Sequence, residues 1–121
     1  MAEAVTNNVD GVAGIGLAGK DFDNTMHQFL NYLYSNGGQV IDPLTNEITL
    51  DSSNTVEALE FYGKLANVAQ EGPLAWERSQ LTELFNDEKI AMYINGPWGR
   101  GRHKEGLNVS TVRIPAGPQG S

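Results

Sequence analysis

The stretch Leu84 to Arg102, LFNDEKIAMYINGPWGRGR, changes its periodicity twice. Leu81, Leu84 and Phe85 recur at helical spacing, which predicts a short helix from about Ser79 to Asp87. Ile90 to Ile94 is a short apolar run, the pattern of a buried strand. Gly96 and Pro97 then break the strand, and Gly96 to Glu105 reads as a turn with a short helix. Helix, strand, turn and helix in close succession point to a layered α/β chain.

The flanking sequence repeats that alternation. Val12 to Ala18 is an uncharged apolar run, expected to be a buried strand. From Asp23 onward Met26, Phe29, Leu30, Leu33 and Tyr34 follow helical spacing, with Thr25 and Gln28 placed for a capping box and Gly37-Gly38 for a left-handed stop. QVIDPLTNEITLD, residues 39–51, pairs two β-rich runs about Pro43 to Asn46 and predicts a hairpin. A second long helix is expected to start near Asp51 to Asn54, with Glu57 completing a box from Asn54. Its apolar face would be Ala58, Leu59, Tyr62, Leu65, Ala66 and Ala69, and Gly72-Pro73 would end it. Val109 to Ile114 reads as a final strand, PAGPQGS as a loop, and AEAVTNN as the end of a longer helix. The whole, 1–121, is read as a single α/β domain with a small sheet flanked by helices.

Composition narrows the functions. The 121 residues carry 8 Lys and Arg against 15 Asp and Glu, a net charge of -7. That balance argues against nucleic acid, whose binding depends on neutralising phosphates. With no cysteine, disulfides, thiolate zinc sites and thiol nucleophiles are all excluded. No apolar run approaches the ~18 residues of a bilayer span, and none reads as a secretory signal. His27 and His103 stand apart without metal-ligand spacing, and no G-x-S-x-G elbow occurs, so neither a metal site nor an enzyme is expected.

GIGLAGKD, Gly14 to Asp21, matches both G-x-G-x-x-G and G-x-x-x-x-G-K. A phosphate loop follows its strand and opens straight into a helix, with Ser or Thr after the lysine. Here the glycines lie inside the apolar run, and Asp21 and Asp23 follow Lys20. Two carboxylates there would repel a phosphate. The stretch is therefore read as a strand with small residues for close packing, and then a polar loop. D-x-D-N at Asp21 to Asn24 resembles the start of a calcium loop, but Met26 stands where that loop needs glycine.

The Phe85, Lys89, Ala91, Met92, Tyr93, Ile94, Asn95, Gly96, Pro97 and Trp98 pattern resembles the extracellular solute-binding proteins of bacterial ABC importers, in the maltose-binding-protein-like group (family 1). The likeness extends through GIGLAG, FLNYLYSNGGQVID and ITLDSSNTVEALEFYGKLANV to VSTVRIPAGPQGS. Glu88 departs from it, standing where the family often has glycine. The resemblance implies a periplasmic-binding-protein-like (type II) fold, of which the chain matches the central part of one lobe. It also implies a non-catalytic carbohydrate binder without cofactor, working with an ABC permease, with a parent protein in the periplasm or at the cell exterior.

By that resemblance Trp98 matches a sugar-stacking tryptophan, where an indole face would cover the C–H face of a pyranose; the other reading is a packing residue. The loop Lys20, Asp21, Phe22, Asp23 and Asn24 matches a ligand-facing loop, with His27 and Gln28 next in reach, or else a solvated loop. It lacks the Glu-Pro-Tyr of maltodextrin binders, so a different sugar preference is expected. Asn95 and Arg100 flank Trp98, and Arg100 and Arg102 either face the cleft or mark a preference for an acidic sugar or phosphate. Trp76 is either a second platform or a packing anchor. The rival to a sugar-binding lobe is a self-associating interaction module. Either way, exposed sheet edges lead us to expect a homodimer or a segment-exchanged assembly, through the ends near Met1 to Val12 and Val109 to Ser121.

Overall fold

A computed structural model describes residues 1–120 of the chain. Among the described residues there are four α-helices: α1 (Ala2–Asn8), α2 (Asp23–Ser35), α3 (Ser53–Leu65) and α4 (Arg78–Asn86). Short 3-10 turns occupy Ala66–Val68, Pro73–Ala75 and Pro97–Arg102. The sheet is minimal. Ala13 and Gly16 make parallel bridges to Ile90 and Tyr93, and Ile15 makes one to Ala69, so residues 13–16 run between two neighbours.

The glycines of that central segment are there for contact. A Cβ on Gly16 would lie 2.4 Å from Cδ1 of Ile90, and one on Gly14 would lie 2.0 Å from the carbonyl oxygen of Ala2. Bulk at either place would push away the neighbouring segment or α1. Past Gly16 the ladder gives way to side-chain amides. Gln70 accepts from the Leu17 N–H at 2.9 Å and donates to the Leu17 carbonyl at 2.6 Å. Gln28 Oε1 accepts from the Ala18 N–H at 2.7 Å, and the Tyr62 hydroxyl donates to the Ala18 carbonyl at 2.5 Å. These side chains do for 17–18 what a neighbouring strand would do, because buried backbone groups must find partners.

Ala18, Leu81 and Ile90 form the buried centre, with Ala13, Trp76, Leu84, Phe85 and Tyr93 packed on it. Each fully buried Leu or Ile stabilises the fold by about 1.5–3 kcal/mol. A second contact zone joins α2 and α3, where Tyr62 meets Phe29 and Tyr32 edge-on at centroid distances of 5.8 and 5.2 Å.

Helix ends follow the expected residues in part. Gly37 is left-handed (φ 76), and the Gly38 N–H bonds the Leu33 carbonyl at 3.0 Å while Gly37 bonds Tyr34, which is a Schellman stop. The two capping boxes expected from Thr25–Gln28 and Asn54–Glu57 do not form. Phe22 precedes α2 without a side-chain cap, Gln28 is drawn into the core, and Ser52 caps α3. Asn54 instead donates to the Asn36 carbonyl at 2.6 Å, and Asn36 donates back to the Asn54 carbonyl at 2.9 Å. That reciprocal pair ties the end of α2 to the start of α3. Helix α3 closes at Leu65, and Leu59, expected inside, is 59% exposed.

The hairpin forms as expected. Ile41 and Ile48 make an antiparallel bridge, Asp42 N–H bonds the Glu47 carbonyl at 2.9 Å, and Asn46 takes the left-handed conformation the turn requires (φ 60). Val109 to Ile114, read as a strand, has no ladder partner among the described residues and forms no regular secondary structure. An apolar alternation makes a strand only where a neighbour supplies its hydrogen bonds.

Candidate functional site

Trp98 sits in the 3-10 turn that begins at Pro97, just after the segment 90–93 that pairs with residues 13–16. Its side chain is 56% exposed. Gly96 lies directly against the six-membered ring, so close that a Cβ there would come within 2.2 Å of it. The Arg78 guanidinium stands over the indole, 5.1 Å from its centroid, a cation–π arrangement.

Arg78 opens α4, and its neighbour Glu77 is the N-cap in a complete capping box with Gln80. Glu77 also reaches the expected ligand-facing loop, since Asn24 Nδ2 donates to Glu77 Oε2 at 3.0 Å. Partial burial raises the Glu77 carboxyl, but the Ser79 N–H, the Asn24 amide, the Lys20 ammonium and the Gln80 N–H outweigh it and hold it below its usual 4.5. The start of α4 thus links two features that lie far apart in sequence. Its first residue touches Trp98, and its cap touches the loop from Lys20 to Asn24.

That loop is held by its backbone. The N–H groups of Gly19 and Lys20 both bond the Trp76 carbonyl at 3.1 Å, and Thr25 Oγ1 donates to the Lys20 carbonyl at 2.5 Å. The side chains of Lys20, Asp21, Phe22 and Asp23 are left exposed. Lys20 does not lead into a helix, because α2 starts at Asp23, so the phosphate-loop geometry is not built. His27 is exposed on α2.

Three expected site residues have other partners. Gln28 is 3% exposed and holds Ala18 and Tyr62 inside the core, which removes it from contact with a ligand at the surface. Asn95 is half-buried, donates to the Tyr93 hydroxyl at 3.2 Å and accepts from the Gly96 N–H at 2.9 Å, so it shapes the turn under Trp98. Arg100 donates to Thr111 Oγ1 at 3.1 Å. Trp76 acts as an anchor, half-buried on the core with its indole N–H on the Glu71 carbonyl at 2.9 Å. No group of three His, Asp or Glu side chains that could hold a metal occurs among the described residues.

Glu77 and Arg78 were missed by the motif reading. The signal was present in W-E-R-S-Q, since Glu77 three residues before Gln80 and just ahead of Leu81 is a helix-start pattern.

Residues 1–120 match the family model described as bacterial extracellular solute-binding protein. A search of the curated proteins gives no match. Among solved structures, an ABC transporter solute-binding protein from Thermotoga lettingae bound with α-D-tagatose is 26% identical, with a TM-score of 0.73 over 81% of this chain and 26% of its own. Maltose-bound MalE3 of T. maritima is 24% identical, with a TM-score of 0.87 over 99% of this chain and 33% of its own. The chain therefore spans about a quarter to a third of the length of these relatives, and its fold is that of periplasmic-binding-protein-like (type II) lobes.

Proposed function

The chain belongs to the family of bacterial extracellular solute-binding proteins, and from that premise we propose that it is a carbohydrate-binding lobe without catalytic activity. The observation that carries the reading is the exposed indole of Trp98 at the end of a sheet segment, linked through Arg78 and Glu77 to the polar loop at Lys20 to Asn24. A sugar ring would stack on the indole once Arg78 swings aside. Its hydroxyls would meet Asn24, Asp21, Asp23 and the freed guanidinium, groups that offer both acceptors and donors. The two solved structures described above are bound to sugars, which supports this ligand class.

In the parent protein two lobes would close on the ligand by hinge motion and present the closed form to an ABC permease at the outer face of the membrane. One lobe offers half of such a cleft. Carbohydrate affinity of this chain should then be weak, on the order of millimolar, or about -4 kcal/mol. The test is titration of an oligosaccharide panel followed by backbone amide chemical shifts, which report binding whether or not an indole stands at position 98. A saturable response abolished by Trp98→Ala supports the reading. A response that survives Trp98→Ala refutes the stacking role, and no response to any sugar at tens of millimolar favours the self-associating interaction module.

A further inference from the structure

Part of the Trp98 platform is already in use. A Cβ on Gly96 would lie 2.2, 2.3 and 2.5 Å from Cη2, Cζ2 and Cζ3 of the indole. Such similar distances to three successive ring atoms put the Gly96 backbone over a face of the six-membered ring, not off its edge. The rest of the ring surface is what a sugar can stack on, and the Arg78 guanidinium stands over the ring, 5.1 Å from its centroid. A ligand that stacks on Trp98 therefore meets a cation.

Arg78 cannot move far from the ring. It is the first residue of α4, and the capping box fixes its backbone. Glu77 accepts from the Ser79 N–H at 3.0 Å, and the Gln80 side chain accepts from the Glu77 N–H at 3.1 Å. The Arg78 side chain is itself half-buried. Only its side-chain torsions are free, so a guanidinium displaced from the indole remains at the rim of the ring. Arg100, a cation expected to serve an acidic ligand, turns to Thr111 instead. Negative charge belongs to the loop, where Asp21 and Asp23 are exposed, and the loop joins the start of α4 through Asn24 and Glu77.

Taking the carbohydrate reading as given, we propose that Arg78 is a specificity-determining residue of this site, selecting sugars that bear a carboxylate, the uronic acids, over their neutral counterparts. A neutral pyranose that stacks on the indole displaces the guanidinium and forfeits the cation–π contact, a loss of about two- to fivefold in affinity. A uronate forfeits the same contact and supplies an anion in return. Its carboxylate, equatorial on C5, projects from the rim of the stacked sugar, where the displaced guanidinium lies. The planar fork of arginine matches a carboxylate with two parallel N–H···O bonds. At a half-exposed surface this pair should favour the uronate by about fivefold. Asp21 and Asp23 repel the carboxylate, which turns it toward Arg78 and leaves the hydroxyls to the loop.

Amide chemical shifts during titration with methyl β-D-glucuronide, and separately with methyl β-D-glucoside, measure the selectivity. The wild-type chain should bind the glucuronide about fivefold more tightly, although a net charge of -7 disfavours an anion. Arg78→Met keeps a long side chain without the charge and should bring the ratio to one or below, chiefly by tightening the glucoside. Arg78→Lys keeps the charge without the fork and should give an intermediate ratio. Raising NaCl from about 20 to 300 mM should shrink the preference of the wild type and leave Arg78→Met without one. Equal binding of the two sugars by the wild type, or a preference that persists in Arg78→Met, overturns the proposal while the carbohydrate reading stands. Binding of neither sugar, by wild type or variants at tens of millimolar, overturns both.

Discussion

Replacing Tyr62 by Phe probes the contact that joins the sheet to the helix pair. The hydroxyl lies 2.5 Å from the Ala18 carbonyl and 2.8 Å from Gln28 Oε1. Tyr62 is 8% exposed and Ala18 is fully buried. The ring itself is kept in Tyr62→Phe, so its edge-on contacts with Phe29 and Tyr32 survive and little cavity opens. What is lost is the donor to a buried carbonyl, which costs about 1–3 kcal/mol. With a urea m-value of about 1–3 kcal/mol/M, the unfolding midpoint should fall by roughly 1 M. The alkaline limb gives a second signature. Burial, with the charge of Tyr32 adding to it, pushes the Tyr62 phenol well above its usual 10.0, and burial pushes Tyr32 up to about 12. The unfolded chain releases these protons near pH 10 while the folded chain keeps them. Their contribution is therefore complete below pH 10 and falls as pH rises, by up to about 1.4 kcal/mol per pH unit for each phenol. Tyr62→Phe should halve that slope between pH 10 and 12. Urea titrations monitored by circular dichroism at pH 7, 10, 11 and 12 measure both effects. An unchanged midpoint at pH 7 together with an unchanged alkaline slope would refute the reasoning.

Two further substitutions test the packing and the cap. Gly16→Ala places a methyl against Ile90 and Tyr93 and should cost about 1–3 kcal/mol by overpacking; an unchanged thermal midpoint would mean that the segments can separate freely. Glu77→Gln weakens the cap of α4, by about 0.5–1 kcal/mol at pH 7. Because the Glu77 carboxyl is held below its usual 4.5, its contribution is present above that pH and disappears as pH falls through the lowered value. Wild type and variant should therefore converge in urea midpoint as the pH is lowered stepwise below 4.5, and a gap that stays the same size throughout would exclude the carboxylate as its source.

Local pattern was enough for what depends on near neighbours. The spacing of Phe29, Leu30 and Leu33, the pair Gly37-Gly38 and the turn Pro43 to Asn46 each produced the expected element, since every partner lies within a few residues. Side chains with distant partners were misjudged. Gln28 and Asn54 have the chemistry of helix caps, but Ala18 and Tyr62 claim the first and Asn36 the second. Val109 to Ile114 has strand composition, and composition says nothing about whether a neighbouring backbone is at hand. In the candidate site the exposed Trp98 and the loop from Lys20 were legible through motif resemblance. Their link through Glu77 and Arg78 was not, because it rests on where the start of α4 lands in space.

The paired asparagines, 18 residues apart, have a consequence for how such a chain can vary over time. Asn36 and Asn54 close the intervening hairpin at its base, so the α2–α3 contact does not depend on the hairpin's length. The entropy of a closed loop grows only logarithmically, about 0.6 kcal/mol for each doubling. Insertions or deletions between residues 39 and 51 are thus tolerated far more readily than changes of one methyl at Gly14 or Gly16. Homologues can be expected to diverge in length at the hairpin while keeping small residues in the central segment.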